Sequence, residues 1–113
     1  MEARLPAHVE ASALLRVAEA GGGFGTILKK GDPDRGAIVL LVTARGSHAA
    51  CLERTLAPDG GYTWLKVGPI AGSTAEVLDE WLKKRVRFDE DLWLIELDVV
   101  DPERFIAETT LGG

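Results

Sequence analysis

The spacing of apolar residues predicts a helix followed by a run of strands. Apolar positions over residues 7–20 repeat at helical intervals, and Gly21-Gly22-Gly23 then allows the helix to end. Four strand-like runs follow, at residues 24–30, 37–42, 49–56 and 62–67. The second run is apolar on both faces, which is typical of a strand covered on both sides of a sheet. The turn-forming segment 31–36 predicts a hairpin between the first two runs, and the short connections predict an antiparallel meander of all four.

The second half of the chain predicts two further helices around a fifth strand. Ser73 stands three residues before a glutamate, as in a capping box, and this spacing predicts the start of the second helix. Residues 92–98 alternate as a fifth strand, and Asp101 before a proline predicts the start of a short third helix. The order helix, four strands, helix, strand, helix predicts one α+β domain over residues 1–113, with a mostly antiparallel sheet.

Composition and charge narrow the function mainly by exclusion. The chain has 113 residues, a net charge of −5 and one cysteine, Cys51. The charge argues against non-specific nucleic-acid binding, and a single cysteine excludes an internal disulfide framework or a cysteine-rich metal site. No apolar run reaches the roughly 20 residues of a membrane helix, and no signal-peptide pattern opens the chain. We therefore expect a cytoplasmic protein with neither a nucleic-acid nor a membrane partner.

Two aspartates and an arginine gather in the turn after the first strand and form the first candidate ligand site. Asp32 and Asp34, two residues apart, offer oxygen ligands for a hard cation, and Arg35 follows directly. A complete Mg²⁺ or Ca²⁺ site needs more oxygen ligands than this turn supplies. The alternative is structural, because an aspartate before a proline caps a turn through its own backbone, and we favour that interpretation.

Glu96 and Asp98 form a second candidate pair, on the predicted fifth strand. Residues two apart on a strand share a face, so the two carboxylates project the same way about 7 Å apart. Such a pair could bind a ligand, or raise a carboxylate pKa for acid–base catalysis. Leu92 and Leu94 share that face, so the alternative is a face that passes from core to solvent.

Other chemical patterns fail on spacing or order. His48 and Cys51 lack a third residue to orient the histidine, and His8 stands alone, so we predict neither a nucleophile nor a zinc site. The glycines at 21–23 follow a helix and precede a strand, which reverses the order of a dinucleotide-binding loop. Gly112-Gly113 is similar to the tail of ubiquitin-like carriers, although glycines after a helix most simply end it. No metal and no cofactor is predicted.

Several segments together resemble a known family. They are Arg4–His8, Lys30–Asp34, Gly36–Ile38, Arg87–Asp98 and Glu103–Phe105. Over essentially the whole chain they are similar to DUF1491, a small alphaproteobacterial family of domains of unknown function. The resemblance implies a bacterial, cytosolic, single-domain protein. It implies no activity, cofactor or partner, and it assigns no functional residue.

These observations favour a non-catalytic interaction or regulatory module. Its partner would be another protein or a second copy of the chain in a homodimer. Tyr62 and Trp64 are candidate contact residues, because aromatic side chains favour interfaces. The alternative is a small ligand- or metal-binding protein, or an enzyme, in which the acidic residues meet Arg4, Arg35 or Arg87 in one pocket. A Gly-Gly-tailed carrier is a minor alternative.

Overall fold

The computed structural model of the chain describes residues 6–111, except for the side chains of Leu56 and Leu111. The elements within that range are α1 (Ala7–Ala20), β1 (Phe24–Lys29), β2 (Ile38–Ala44), β3 (Ser47–Leu56), β4 (Tyr62–Val67), α2 (Ala75–Phe88), β5 (Trp93–Asp98) and α3 (Pro102–Leu111). The predicted α+β class and the order of elements are confirmed. Within residues 6–111, no helix combines the length and the apolarity that crossing a bilayer requires.

The five strands form one mixed sheet in the order β1-β5-β2-β3-β4. The strands β2, β3 and β4 pair antiparallel in sequence, as a meander does. However, β1 does not join them, because β5 lies between β1 and β2, antiparallel to the first and parallel to the second. The predicted hairpin of β1 and β2 is therefore wrong, and with it the four-stranded antiparallel meander.

Burial explains why β5 takes a central position. All residues of β2 except Ala44 are buried, as are all residues of β5 except Glu96. In contrast, β1 alternates between exposed and half-buried positions, which is typical of an edge strand. A strand that is apolar on both faces removes most apolar surface from water when it has a neighbour on each side. The two most apolar strands therefore lie side by side.

Helices cover both faces of the sheet. α1 and α3 cover a core built mainly from Ile38, Leu40, Val42, Leu52, Trp93, Ile95 and Leu97. On the opposite face, α2 covers a smaller cluster of Val39, Leu92 and Leu94. No residue of α2 is fully buried, so this helix packs more loosely than α1. An ion pair of 3.1 Å between Arg85 Nη2 and Glu53 Oε2 also joins α2 to β3.

The ends of two helices follow from side-chain hydrogen bonds. Thr74 caps α2, since its Oγ1 accepts the backbone N–H of Val77 at 3.3 Å. Ser73 instead donates its hydroxyl to the carbonyl oxygen of Ile70 at 2.7 Å, so the predicted capping box at Ser73 is wrong. Asp101 caps α3 as predicted, by accepting a backbone N–H of the first turn at 3.2 Å.

Candidate functional site

The acidic turn between β1 and β2 is held by its own backbone. Asp32 Oδ1 accepts the N–H of Arg35 at 2.8 Å and the N–H of Asp34 at 2.9 Å. These bonds, that from Arg35 first, hold the pKa of the Asp32 carboxyl below its usual value, because they favour the charged form. The side chains of Asp34 and Arg35 are exposed. The geometry of Asp32 is that of a carboxylate capping a turn.

The same turn joins α1 to β5. The carbonyl oxygen of Pro33 accepts both the backbone N–H and the ring Nδ1–H of His8, each at 2.9 Å. The carbonyl oxygen of Asp32 accepts the indole N–H of Trp93 at 2.7 Å. The backbone N–H of Asp32 donates to the carbonyl oxygen of Asp91 at 2.9 Å. Through these hydrogen bonds the turn links the first helix to the start of β5.

Glu96 and Asp98 lie on one face of β5 and meet at a threonine. Thr43 Oγ1 is 3.0 Å from Glu96 Oε2 and 3.0 Å from Asp98 Oδ2. A hydroxyl has one proton to donate, so the two carboxylates compete for it. Asp98 also accepts the backbone N–H groups of Arg45 at 3.1 Å and Gly46 at 2.9 Å. The bond from Gly46 is the main reason why the pKa of Asp98 lies below its usual value.

The two backbone donors to Asp98 belong to the turn between β2 and β3. Arg45 and Gly46 both have positive φ, 52° and 81°, as a two-residue type I′ turn requires. Arg45 is a poor residue for that conformation, and the carboxylate of Asp98 compensates by accepting both N–H groups. Asp98 thus stabilises the hairpin from the neighbouring strand.

The two acidic candidates do not converge. Asp32, in the turn, lies beside the start of β5, and Asp98 lies at the end of β5. The length of this six-residue strand, about 20 Å, therefore separates them. Within residues 6–111, no three His, Cys, Asp or Glu side chains are placed to hold a metal ion. Arg87 lies on α2 beside a shallow groove that includes Leu94. Arg4 lies outside the described residues, as do Gly112 and Gly113.

The remaining candidates from the sequence take part in packing. Cys51 is fully buried, and burial raises the pKa of its thiol to about 11. The ring of Tyr62 lies under the guanidinium of Arg54, 4.0 Å from ring centre to Cζ, and Arg54 also pairs with Glu10 of α1 at 3.3 Å. Trp64 is half-buried against the core beneath α1. Both aromatic rings are thus partly used within the domain.

A cleft of about 700 Å³ lies between α3 and the hairpin end of the sheet. One wall comes from the β2–β3 turn, β4 and the loop after β4, and the other comes from α3. Small side chains keep this space open, among them Ala49, Ala71 and Ala107. Ala49, Lys66 and Ala71 also line a neighbouring depression of about 530 Å³. Lys66 therefore lies where the two hollows meet.

Three polar side chains of the cleft have unused hydrogen-bonding capacity. His48 Nε2 lies 2.9 Å from the carbonyl oxygen of Pro69, which can only accept, so Nε2 carries the proton. In the neutral ring Nδ1 is then an acceptor, and it is buried without a partner among the described residues. Lys66 and Glu103 line the same cleft, and neither forms an ion pair within residues 6–111. Lys66 and Glu103 thus place a cation and an anion on one concave surface, whereas the Nδ1 of His48 is not accessible from it.

Sequence reasoning did not find this cleft. Its polar residues are spread over β3, β4 and α3, and no local spacing joins them. One signal was available: the alanines of the third predicted strand and of the last helix are too small to fill the space between two packed layers. That signal indicates a gap, but only the tertiary structure shows that His48 and Lys66 line it.

Comparison with solved structures finds the same architecture in alphaproteobacterial proteins. The crystal structure of a DUF1491 family protein from Caulobacter crescentus is 29% identical, with a TM-score of 0.74 over 90% of this chain and 94% of that chain. The NMR structure of a DUF1491 family protein from the same organism gives 28% identity and a TM-score of 0.73, over 89% of this chain and 91% of that chain. The solution structure of protein Atu0922 from A. tumefaciens gives 28% and 0.69, over 88% and 89%.

The family comparison agrees with the structural one. No curated protein matches the chain. The model of the family described as "Protein of unknown function (DUF1491)" matches residues 5–107, which is nearly the whole chain. The sheet with β5 between β1 and β2, the helices on both faces and this match together identify the chain as a member of the DUF1491 family.

Proposed function

We propose that the chain is a non-catalytic binding module whose ligand is a small molecule held in the cleft beneath α3. The observation that supports this most is the cleft of about 700 Å³ itself, which small side chains leave open between α3 and the sheet and in which Lys66 forms no ion pair within residues 6–111. A ligand in the cleft would cover its apolar lining and could place a negative group beside Lys66.

The dimensions and lining of the cleft fit this proposal. Small-molecule sites are concave, typically about 300–1,000 Å³, and mostly apolar, with a few polar groups that orient the ligand. Here the apolar surface comes from alanines together with Pro102 and Ile106, and the polar groups are His48, Lys66 and Glu103. Polar groups that hold and orient a ligand account for such a site, so the proposal includes no chemical reaction.

The same residues give little support to catalysis. The Nε2–H of His48 is engaged by Pro69, so this nitrogen is not free to abstract a proton. The thiol of Cys51 is buried and protonated at neutral pH, because its pKa is about 11. A binding or regulatory role therefore suits the site better than nucleophilic chemistry.

A cleft-filling variant tests the proposal. Ala107 is exposed and lines the cleft, so Ala107→Trp should fill the space without unfolding the domain. We expect a mixed metabolite panel to shift the amide NMR signals of residues 44–49, 66 and 71 in the natural chain. The variant should lose these shifts, while Ala20→Trp, an exposed alanine on α1, should retain them. A panel that leaves those signals unmoved in the natural chain would contradict the proposal.

Self-association through β1 is a second candidate function. β1 is an edge strand, and it carries two exposed apolar side chains, Phe24 at 56% and Leu28 at 49% exposure. Two identical edge strands can pair antiparallel about a twofold axis, so that each copy presents the same surface. The occupant of this edge would then be a second copy of the chain.

Sedimentation at rising concentration tests this second candidate. We expect a monomer–dimer equilibrium, and we expect Leu28→Lys to shift it at least about tenfold toward monomer, because the dimer would bury an unpaired charge. Val100→Lys, at another exposed apolar residue, is the matched control. If the natural chain and both variants sediment identically as monomers, β1 is not a dimer interface.

A further inference from the structure

We propose that two copies of the chain pair through β1 in one antiparallel register, with Thr26 on the twofold axis and Lys30 of each copy beside Glu19 of the other. This inference rests on the second candidate function and specifies how that edge recognises a second copy. Three features of β1 lead to it: the direction of its backbone groups, the positions of its exposed apolar side chains, and the charges beyond its ends.

The backbone groups along the free edge of β1 belong to Gly25 and Ile27. The backbone N–H of Trp93 donates to the carbonyl oxygen of the residue before β2, at 2.8 Å, so the odd-numbered residues of β5 direct their backbone groups toward β2. The even-numbered residues of β5 therefore direct theirs toward β1, where Glu96 lies opposite Thr26. As a result, Gly25 and Ile27 direct their N–H and C=O groups away from β5. Within β1, a second copy can hydrogen-bond only to these two residues.

The exposed apolar side chains of β1 select one register. Phe24 and Leu28 are exposed, and Thr26 is exposed between them. When Thr26 lies opposite its own counterpart, Phe24 of each copy lies opposite Leu28 of the other, and Gly25 and Ile27 exchange hydrogen bonds. Moving the axis to Gly25 or Ile27 places Thr26 opposite Phe24 or Leu28, so the two apolar side chains no longer meet. Only the register centred on Thr26 pairs both.

The charges beyond the two ends of β1 are complementary in this register. Lys30 is exposed and follows the strand, and it comes to lie next to Gly22 of the second copy. α1 ends just before Gly22, and its last turn contains the exposed Glu19 and no basic residue. A helix C-terminus and a carboxylate both favour a cation. Neither Lys30 nor Glu19 forms an ion pair within residues 6–111, so both are available to a second copy.

A cysteine on the axis tests the register. Thr26→Cys places two thiols in a pair that is not hydrogen-bonded, where the Cα atoms are about 4.5 Å apart and a disulfide fits. The natural Cys51 is fully buried and does not compete. In Leu28→Cys, by contrast, the two thiols lie four residues apart along the paired strands, roughly 13 Å. Under mild oxidation we expect Thr26→Cys to form a covalent dimer at least about tenfold faster than Leu28→Cys.

Charge reversal tests the contact between Lys30 and Glu19. Lys30→Glu and Glu19→Lys each place like charges together twice, so each variant alone should dimerise about tenfold more weakly in sedimentation. An equimolar mixture of the two should recover the natural affinity, because every contact in the mixed dimer again joins opposite charges. Lys84→Glu reverses an exposed charge on α2 and should change nothing.

The outcomes distinguish this inference from the second candidate function. If Leu28→Lys weakens a dimer but Thr26→Cys cross-links no faster than Leu28→Cys, β1 pairs in another register and this inference is wrong. If the mixture of the two reversed variants recovers nothing, the contact between Lys30 and Glu19 is wrong. If the natural chain stays monomeric and Thr26→Cys does not cross-link, both proposals are overturned.

Discussion

Gly31→Ala should cost about 3–5 kcal/mol of unfolding free energy, enough to leave the domain largely unfolded if its stability is at the low end of the usual range. A Cβ at this position would overlap the carbonyl oxygen of Asp91 and would lie 2.7 Å from the carbonyl carbon of Leu92. Both obstacles are backbone at the start of β5, so no side-chain rotation relieves the clash. The turn would have to move away from β5, and the hydrogen bonds that link it to Asp91 and Trp93 would be lost.

Urea denaturation measures this effect, and Gly61→Ala is the matched control. At Gly61 a Cβ would meet only Asp59 Oδ1, at an ordinary contact distance of 3.4 Å, so its effect should stay within about 0.5 kcal/mol. We expect a large shift of the denaturation midpoint with an unchanged slope for Gly31→Ala alone. Equal midpoints for the two variants would mean that the close approach of the turn to β5 is not required for stability.

Asp98→Asn should cost about 2–3 kcal/mol near neutral pH, because the carboxylate accepts two backbone N–H groups of the β2–β3 turn and the hydroxyl of Thr43. An amide keeps one acceptor oxygen and loses the charge. Asp79→Asn, an exposed carboxylate on α2, makes the same charge change and should be nearly neutral.

The effect of Asp98→Asn should also depend on pH in a definite direction. The pKa of Asp98 is lowered in the folded state, mainly by the N–H of Gly46. The stabilisation is therefore complete above the unfolded pKa of about 4 and is lost as the pH falls through the lower folded value. The difference in unfolding free energy between the natural chain and Asp98→Asn should shrink over that range. A difference that stays constant into acid would show that the charge of Asp98 does not stabilise the turn.

The elements that the sequence predicts well are those whose ends are set by nearby residues. α1 covers the predicted residues 7–20, because the glycines at 21–23 close its last turn. β4 covers the predicted residues 62–67, because the glycines before it complete a local turn. In both cases the residues that decide the boundary are neighbours in sequence.

Strand pairing depends on distant residues and was predicted only in part. The turn 31–36 has the chemistry of a hairpin, yet it spans two strand spacings, about 10 Å, because β5 inserts between β1 and β2. No signal in the turn itself reports this insertion. The signal lies in the apolar run 92–97, which was predicted as part of a fifth strand but not as the partner of both β1 and β2.

The candidate site was harder to predict than the fold. Asp32 and Asp98 attracted attention because carboxylates close in sequence suggest chemistry, and their oxygens accept backbone N–H groups of turns. His48 was set aside as a catalytic residue because no third residue was placed in the sequence to orient it beside Cys51. Its place at the border of the cleft depends on a loop 21 residues away and on α3, which no spacing pattern connects to it.

The central position of β5 has a consequence for how the protein is made. During synthesis α1, β1 and the β2–β4 meander leave the ribosome before β5, so until then β1 and the β2 edge of the meander lack the strand that pairs with both. The edges of β1 and β2 are then unpaired and lie next to apolar surface, an arrangement that is prone to pairing with other chains. Only when β5 emerges can it pair with both β1 and β2 and make the sheet continuous. A chain truncated before residue 92 should therefore aggregate, although most of its residues are present.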